Sequence, residues 1–464
     1  MIDAEATAVA DGILERYKRR TKRTREQVER AKRVLPAGHT RGSTQYPPYA
    51  THLHSGSGCY IQDCDGNRYL DLLNNQTSLI HGHAHPAITS AITEQMQQGT
   101  VFGSPTEPLI RLAETICDRT PGIDQILFNN SGTEATIMAL RTARAYTRRE
   151  RIIKMDGGYH GLHDAVLVNM KADHAATDGP RPRFTLPGIP QAHKGQSLIA
   201  PFNDLTAIAT LFERHPGEIA AVIVEPIPNA GGIIMPQEGY LAGLKEITKQ
   251  HGALLIFDEV ATYRLGRGGY QEVSGVIPDL TALAKIIGGG YPIGALGGRQ
   301  EVMDLYDPAR VEKPQEPLYV SGTYHGNVIS MIAGQVAMEH YEEPEVQRIN
   351  RLGEMLKDGI QACGEELGLR VQATGYGSLV RVHWQDEPII DIAQATRGDR
   401  NAQDIIELFH LELLNRGILA APGEKFCLST PMTEKEIDHA LAEIAETFQT
   451  LLPYVRGKHP ELIV

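Results

Sequence analysis

Between residues 125 and 340 short apolar runs alternate with stretches whose apolar positions recur every three or four residues. The runs Gln125–Asn129, Arg151–Met155, Ala220–Glu225 and Ala253–Asp258 predict buried strands. The periodic stretches Ala87–Gln98, Thr133–Tyr146, Tyr240–His251 and Val328–Tyr341 predict helices between and around them. Such alternation indicates an α/β fold whose mostly parallel sheet is covered by helices. The region Lys171–Ser197, rich in Pro, Gly, His and charge, reads as a surface excursion.

After residue 341 the pattern changes. Strands are expected in Val371–Trp384 and helices over Asn401–Asn415 and Thr433–Leu451, a smaller α/β domain. Near the start, Cys59–Leu73 alternates apolar and polar residues on both sides of Asp65-Gly66, a hairpin signal. The expected organisation is an N-terminal helix and hairpin in residues 1–75 joining the small domain. A large domain follows over 76–340, and the rest of the small domain over 341–464.

Ile13–Val34 is helical in pattern and strongly basic, and Leu35-Pro36-Ala37-Gly38 ends it. A nucleic-acid arm and a solvated lead-in helix both fit that pattern. The charge of the whole chain favours the second: it is −12, which argues against a nucleic-acid partner. Five cysteines (Cys59, Cys64, Cys117, Cys363, Cys427) lie scattered without CxxC spacing, so a disulfide framework is not expected and a reducing cytoplasm is. No apolar run is long enough to span a bilayer, and the first residues lack the basic start and apolar core of a signal peptide. A soluble cytoplasmic protein without a membrane partner is expected. The alternating histidines His81, His83 and His85 invite a metal reading. Without a carboxylate or cysteine at helical spacing they read better as a turn opening the next helix, and no metal is expected.

Chemistry concentrates in four places. Lys285 stands among Leu280, Leu283, Ala284, Ile286 and Ile287, and three glycines follow it. An ammonium there either escapes to solvent or is desolvated into a nucleophile toward carbonyls, and the glycines would let the backbone approach a planar ligand. Asn129-Asn130-Ser131-Gly132-Thr133-Glu134 joins a strand end to a capped helix start, a setting for phosphate that lacks the Walker A lysine. Gly157-Gly158-Tyr159-His160-Gly161 puts an aromatic pair between glycines at another strand end, where ligands bind in open α/β sheets. Leu254–Phe257 runs straight into Asp258 and Glu259. An acid so placed needs a cation, either Mg²⁺ or a protonated ring nitrogen, and the missing Walker A loop favours the ring. A phosphate cradle, a stacking aromatic, a carboxylate for a pyridinium and a desolvated lysine together select pyridoxal phosphate.

These segments, with LPAGHTR, DGNRYLDLL, GHAHP, VEP and SGTYHGN, resemble the class III, fold-type I pyridoxal-phosphate aminotransferases from about Leu35 onward. The branch is the one that also holds glutamate-1-semialdehyde aminomutase and the β-phenylalanine aminotransferases. The resemblance implies that Lys285 carries the cofactor as a Schiff base and shuttles the substrate proton. It implies that Asp258 holds the ring nitrogen, with Val260 and Tyr159 on the two ring faces and His160 beside them. Ser131, Gly132 and Thr133 would bind the phosphate, and Glu225 would lie near the cofactor. Thr323 would reach the neighbouring subunit's phosphate in a homodimer with shared sites.

For substrate, the resemblance makes Arg41 a carboxylate-binding residue and puts Tyr46 near the pocket, where it could equally be core packing. Asp258–Leu265 resembles the β-amino acid branch, because the aminomutase pattern has one more residue between threonine and arginine. Gly423 and Glu424 stand where the β-phenylalanine enzymes place an arginine after the proline. The expected activity is ping-pong transfer of an amino group from a small-molecule amine donor, a β-amino acid or aromatic amine, to a 2-oxo acid acceptor. The alternative is an intramolecular 2,1-aminomutase.

Overall fold

A computed structural model describes residues 2–170, 186–311 and 316–464. The chain divides into two compact units, the first Met1–His85, Arg348–Pro388 and Arg397–Val464, the second Pro86–Gln347 with Ile389–Thr396.

The second unit is built on a seven-stranded sheet. Its strands are β1 (Gln125–Asn129), β2 (Arg151–Met155), β3 (Ser197–Ala200), β4 (Ile219–Val224), β5 (Leu254–Asp258), β6 (Leu280–Ala284) and β7 (Gly294–Gly298), in the order β1-β7-β6-β5-β4-β2-β3. All pairings are parallel except the two made by β7. Every residue of β4, β5 and β6 is buried, as a parallel sheet covered on both faces requires. The helix Gly132–Thr147 packs Met138, Ala139, Leu140 and Ala143 against Ile152, Ile223, Ile256 and Leu296 of the sheet.

Three of these strands, β3, β6 and β7, lie outside the expected runs. β7 is Gly-Ala-Leu-Gly-Gly, poor in strand formers, yet a Cβ on Gly294 would come within 2.1 Å of Asn129 Oδ1 and one on Gly297 within 2.6 Å of Ile123 Cδ1. Its glycines are there for close approach. β3 begins where the anticipated excursion Lys171–Ser197 ends, with Gln191–Gly195 as a short 3₁₀ turn before it. Residues 171–185 of that stretch lie outside the described residues.

In the first unit the hairpin pairs Tyr60–Asp63 with Arg68–Asp71 through the register Ile61↔Tyr69. Leu53–Ser57 adds on one side and Ile418–Leu419 on the other. A second sheet joins Gln372–Tyr376, Leu379–His383 and Lys425–Cys427. The core gathers Ile13, Tyr17, Trp384, Phe409 and Phe448. The basic N-terminal stretch forms two helices, Ile2–Arg20 and Lys22–Ala31, rather than one starting at Ile13. The break at Thr21 has a visible cause: the Asp65 carboxylate accepts the Arg23 and Thr24 amides at 2.6 and 2.8 Å, capping the second helix from outside. Among the described residues no helix is long and apolar enough to cross a membrane.

Candidate active site

Because β7 is antiparallel to both neighbours, β1 runs in the same direction as β6, β5, β4 and β2. Asn129, Ala284, Asp258, Val224 and Met155 therefore end on one edge of the sheet, and the candidate residues follow them or terminate them. Ligands of open α/β sheets bind outside this edge.

At the β1 end, Ser131 caps the helix Gly132–Thr147 and its Oγ accepts the Glu134 amide at 3.2 Å. Glu134 Oε2 in turn accepts the Asn130 amide at 2.7 Å. The first amides of the helix, those of Gly132 and Thr133, point where a phosphate is favoured by geometry and dipole. Thr133 Oγ1 accepts the Leu162 amide at 3.3 Å, and a Cβ on Gly161 would sit 2.7 Å from that oxygen. Gly161, at φ +94°, is thus the point where the loop after β2 closes onto the helix start.

That loop carries the aromatic pair. His160 is buried, and its Nδ1 donates to Asp258 Oδ2 at 2.7 Å, while the Thr136 hydroxyl donates to the His160 carbonyl at 2.7 Å. Asp258 Oδ1 accepts the Val260 amide at 3.2 Å. Tyr159 is 40% exposed, and its amide donates to Glu225 Oε1 at 3.0 Å. Glu225 Oε2 accepts the Asn229 amide at 3.1 Å. Burial pushes the Glu225 carboxyl upward and Asp258 adds to the rise, against which His160 and the two amides act.

Lys285 opens the turn after β6 with φ +55°, a left-handed conformation that is rare outside glycine and clusters at functional sites. It is half-buried. Asp258 stands opposite Ala282 in the β5–β6 register, so the lysine lies three residues past the strand position facing the carboxylate. The glycines that follow make a different contact from the one expected. A Cβ on Gly289 would lie 2.3 Å from the Ala333 carbonyl, and one on Gly288 2.5 Å from Ile293 Cγ2. At Gly288 and Gly289 the close approach is to a tight turn and to the helix Val328–Glu339. Gly132 does open space near the site, since a Cβ there would meet Val260 Cγ2 at 3.0 Å and Ala284 Cβ at 3.5 Å.

These residues fit pyridoxal phosphate. His160 Nε2 is buried with no protein partner, Gly132 leaves a cradle that a methyl would fill, and Tyr159 presents a partly bare ring. Ser131, Gly132, Thr133, Tyr159, His160, Glu225, Asp258, Val260 and Lys285 all belong to this edge. Thr323 is exposed, in a turn of the second unit. Arg41 and Tyr46 belong to the first unit. Arg41 is exposed and donates to Asn75 Oδ1 at 2.6 Å. The Tyr46 hydroxyl accepts the Thr51 amide at 2.8 Å and its ring packs edge-on to His410 at 4.3 Å, so its body is part of the packing there. Glu424, in place of the arginine, is turned inward and accepts Trp384 Nε1–H at 2.7 Å. His83 bonds Asp71 at 2.6 Å and His81 bonds Thr430 at 2.9 Å.

Two supporting roles do not follow from the sequence, those of Lys154 and of Glu259, the second acid at the end of β5. Lys154, wholly buried in β2, donates to the Val168 carbonyl at 2.7 Å, and burial brings its ammonium down to about 8. Beside it Asn169 accepts the Gly157 amide at 2.9 Å, so the pair anchors the base of the Tyr159 loop. The available signal was a lysine inside an apolar strand, as at Lys285. Glu259 accepts the Tyr270 and Gln271 amides at 2.6 and 3.0 Å, and burial lifts its carboxyl to about 7. It ties down the segment leaving Asp258.

A family profile described as Aminotransferase class-III matches residues 42–449. A glutamate-1-semialdehyde 2,1-aminomutase of Desulforudis audaxviator is 42% identical over 398 residues, covering 85% of this chain and 89% of the relative. The crystal structure of an omega-transaminase from Sphaerobacter thermophilus is 39% identical with TM-score 0.87, covering 92% and 97% of the two chains. A β-phenylalanine aminotransferase from Variovorax paradoxus is 33% identical with TM-score 0.86, covering 97% and 98%.

Proposed function

The chain belongs to the class III aminotransferase family, whose cofactor is pyridoxal phosphate, and on that premise we propose that it transfers an amino group from an amine donor to a 2-oxo acid with Lys285 as the catalytic residue. The observation that carries this reading is the pairing of a left-handed Lys285 at the end of β6 with a buried, His160-bonded Asp258 at the end of β5.

When bound, pyridoxal phosphate supplies a ring that draws electrons from the carbon bearing the amino group. Asp258 would keep a proton on the ring nitrogen, and His160 Nδ1–H fixes the carboxylate for that task. Val260 and Tyr159 would cover the ring faces and exclude water, while Ser131, Gly132 and Thr133 would hold the phosphate at the helix start. Glu225 holds the Tyr159 backbone in place. Lys285 Nζ would hold the cofactor and would move the proton that leaves the substrate carbon. Arg41 supplies a guanidinium for a donor carboxylate. The working form would be a homodimer in which Thr323 would help to hold the neighbouring copy's phosphate.

Intermolecular transfer is supported by the Thr262-Tyr263-Arg264 spacing and by the transaminase names of the two solved structures. A second reading has its own support. The relative at 42% identity is named an aminomutase, as is one at 39%, and such names weigh more for an intramolecular 2,1-shift than for intermolecular transfer. Supplying purified, cofactor-loaded enzyme with amines but no 2-oxo acid separates the two. A transaminase stops after one turnover per site, whereas sustained turnover of an amino aldehyde establishes the aminomutase. A panel in which β-amino acids and aryl amines all fail to react removes the substrate preference.

A further inference from the structure

The basic stretch of the N-terminal helix has no part in the site described above, and in the first unit it lines a cavity of its own. Arg16, Arg19 and Arg20 share one face of the helix Ile2–Arg20 by their spacing. With Arg416 at the C-terminal end of the helix Gln403–Asn415, they line a cavity of about 400 Å³ with Glu412, Asn415 and Thr450. Four guanidiniums therefore surround one lining carboxylate.

That carboxylate is shared. Glu412, with its side chain 3% exposed, accepts Arg16 at 2.6 Å through Oε2 and Arg416 at 3.0 Å through Oε1. Arg416 also faces Glu443 at 3.4 Å and Glu446 at 3.9 Å, and donates to Thr450 Oγ1 at 3.1 Å. These contacts fix two of the four guanidiniums in place. Among the described residues the Arg20 side chain reaches only the neutral Asn67 Oδ1, at 3.4 Å, and Arg19 meets no carboxylate. The cavity thus has two guanidiniums held by carboxylates and two more without an anionic partner among the described residues.

We propose that this cavity binds a small multivalent oxyanion, a phosphate-bearing or polycarboxylate metabolite, through Arg16, Arg19, Arg20 and Arg416. Guanidiniums present forks of N–H donors that match phosphate and carboxylate oxygens, and several converging on one cavity favour an anion of more than one charge. The concave shape and the net charge of −12 for the whole chain favour a compact anion over a long nucleic acid.

The test uses the full chain loaded with pyridoxal phosphate, so that the cradle at Ser131–Thr133 is filled. Calorimetric titration with pyrophosphate and, separately, citrate is made at constant ionic strength in chloride. Saturable binding is expected, and the double substitution Arg19→Gln/Arg20→Gln should weaken it about tenfold or more, as loss of charge-assisted bonds implies. Arg19 is exposed and Arg20 gives up a single 3.4 Å bond to Asn67 Oδ1, so the double variant should melt close to wild type in chloride. Tighter binding of pyrophosphate assigns the site to phosphate compounds, and tighter binding of citrate to polycarboxylates. Absence of saturable binding by either anion, or binding unaffected by the double substitution, overturns the proposal.

Discussion

His160 Nδ1 stands 2.7 Å from Asp258 Oδ2, with both side chains buried and 98 residues apart in the chain. The bond ties the loop after β2 to the end of β5, and it leaves His160 Nε2 without a protein partner. A histidine so placed orients a carboxylate, and its removal should loosen what that carboxylate holds. His160→Leu is expected to weaken pyridoxal phosphate binding about tenfold or more, the size of a lost charge-assisted hydrogen bond. Titration of the apoenzyme with cofactor, followed by absorbance, measures it; unchanged affinity and turnover would speak against the role.

Asp258→Asn keeps the side chain's shape and removes its charge. The ring nitrogen then loses its counter-charge, and turnover should fall about 100-fold or more while the protein still folds and takes up cofactor. Steady-state kinetics at saturating cofactor give the answer. A decrease of only a few-fold would place the ring elsewhere.

Gly161→Ala tests the closure of the loop on the helix start. The added methyl meets Thr133 Oγ1 at 2.7 Å and Thr133 Cα at 2.8 Å, in a left-handed backbone that alanine adopts poorly. A destabilisation of about 1–3 kcal/mol is expected from the overpacking. Urea denaturation reads it, and cofactor affinity should fall with it.

Glu424→Gln tests a buried acid. Burial pushes the Glu424 carboxyl up to about 8 from its ordinary 4.5. The folded state therefore holds that proton more tightly than the unfolded chain. The resulting stability is complete below about pH 4.5 and is lost as pH rises toward 8. Glutamine keeps an acceptor for Trp384 and cannot ionise, so the variant should gain on wild type as the pH is raised through that window. Parallel stability curves for the two proteins across it would contradict the assignment.

Much of this arrangement was legible in the sequence because its signals are local. The runs at Gln125–Asn129 and Arg151–Met155 became strands with those same bounds, and Ser131 capped the helix that its spacing with Glu134 announced. What escaped depends on contacts across the chain. No local pattern shows that His160 would meet Asp258, that Asp65 would cap a helix starting at Lys22, or that Glu424 would turn inward to Trp384. β7 escaped for a related reason, since its glycines make sense only once Asn129 and Ile123 lie against them. The approach of the helix Val328–Glu339 to Gly289 has no local signal either, since Ala333 lies 44 residues on.

The central claim is that Lys285 holds the cofactor. Borohydride reduction of the loaded enzyme, followed by digestion and mass spectrometry, locates the lysine joined to pyridoxal phosphate. The account predicts label on the Lys285 peptide of wild type, none at that position in Lys285→Ala, and no amine turnover by that variant. Label on another lysine of the wild type, or normal turnover by Lys285→Ala, would contradict it.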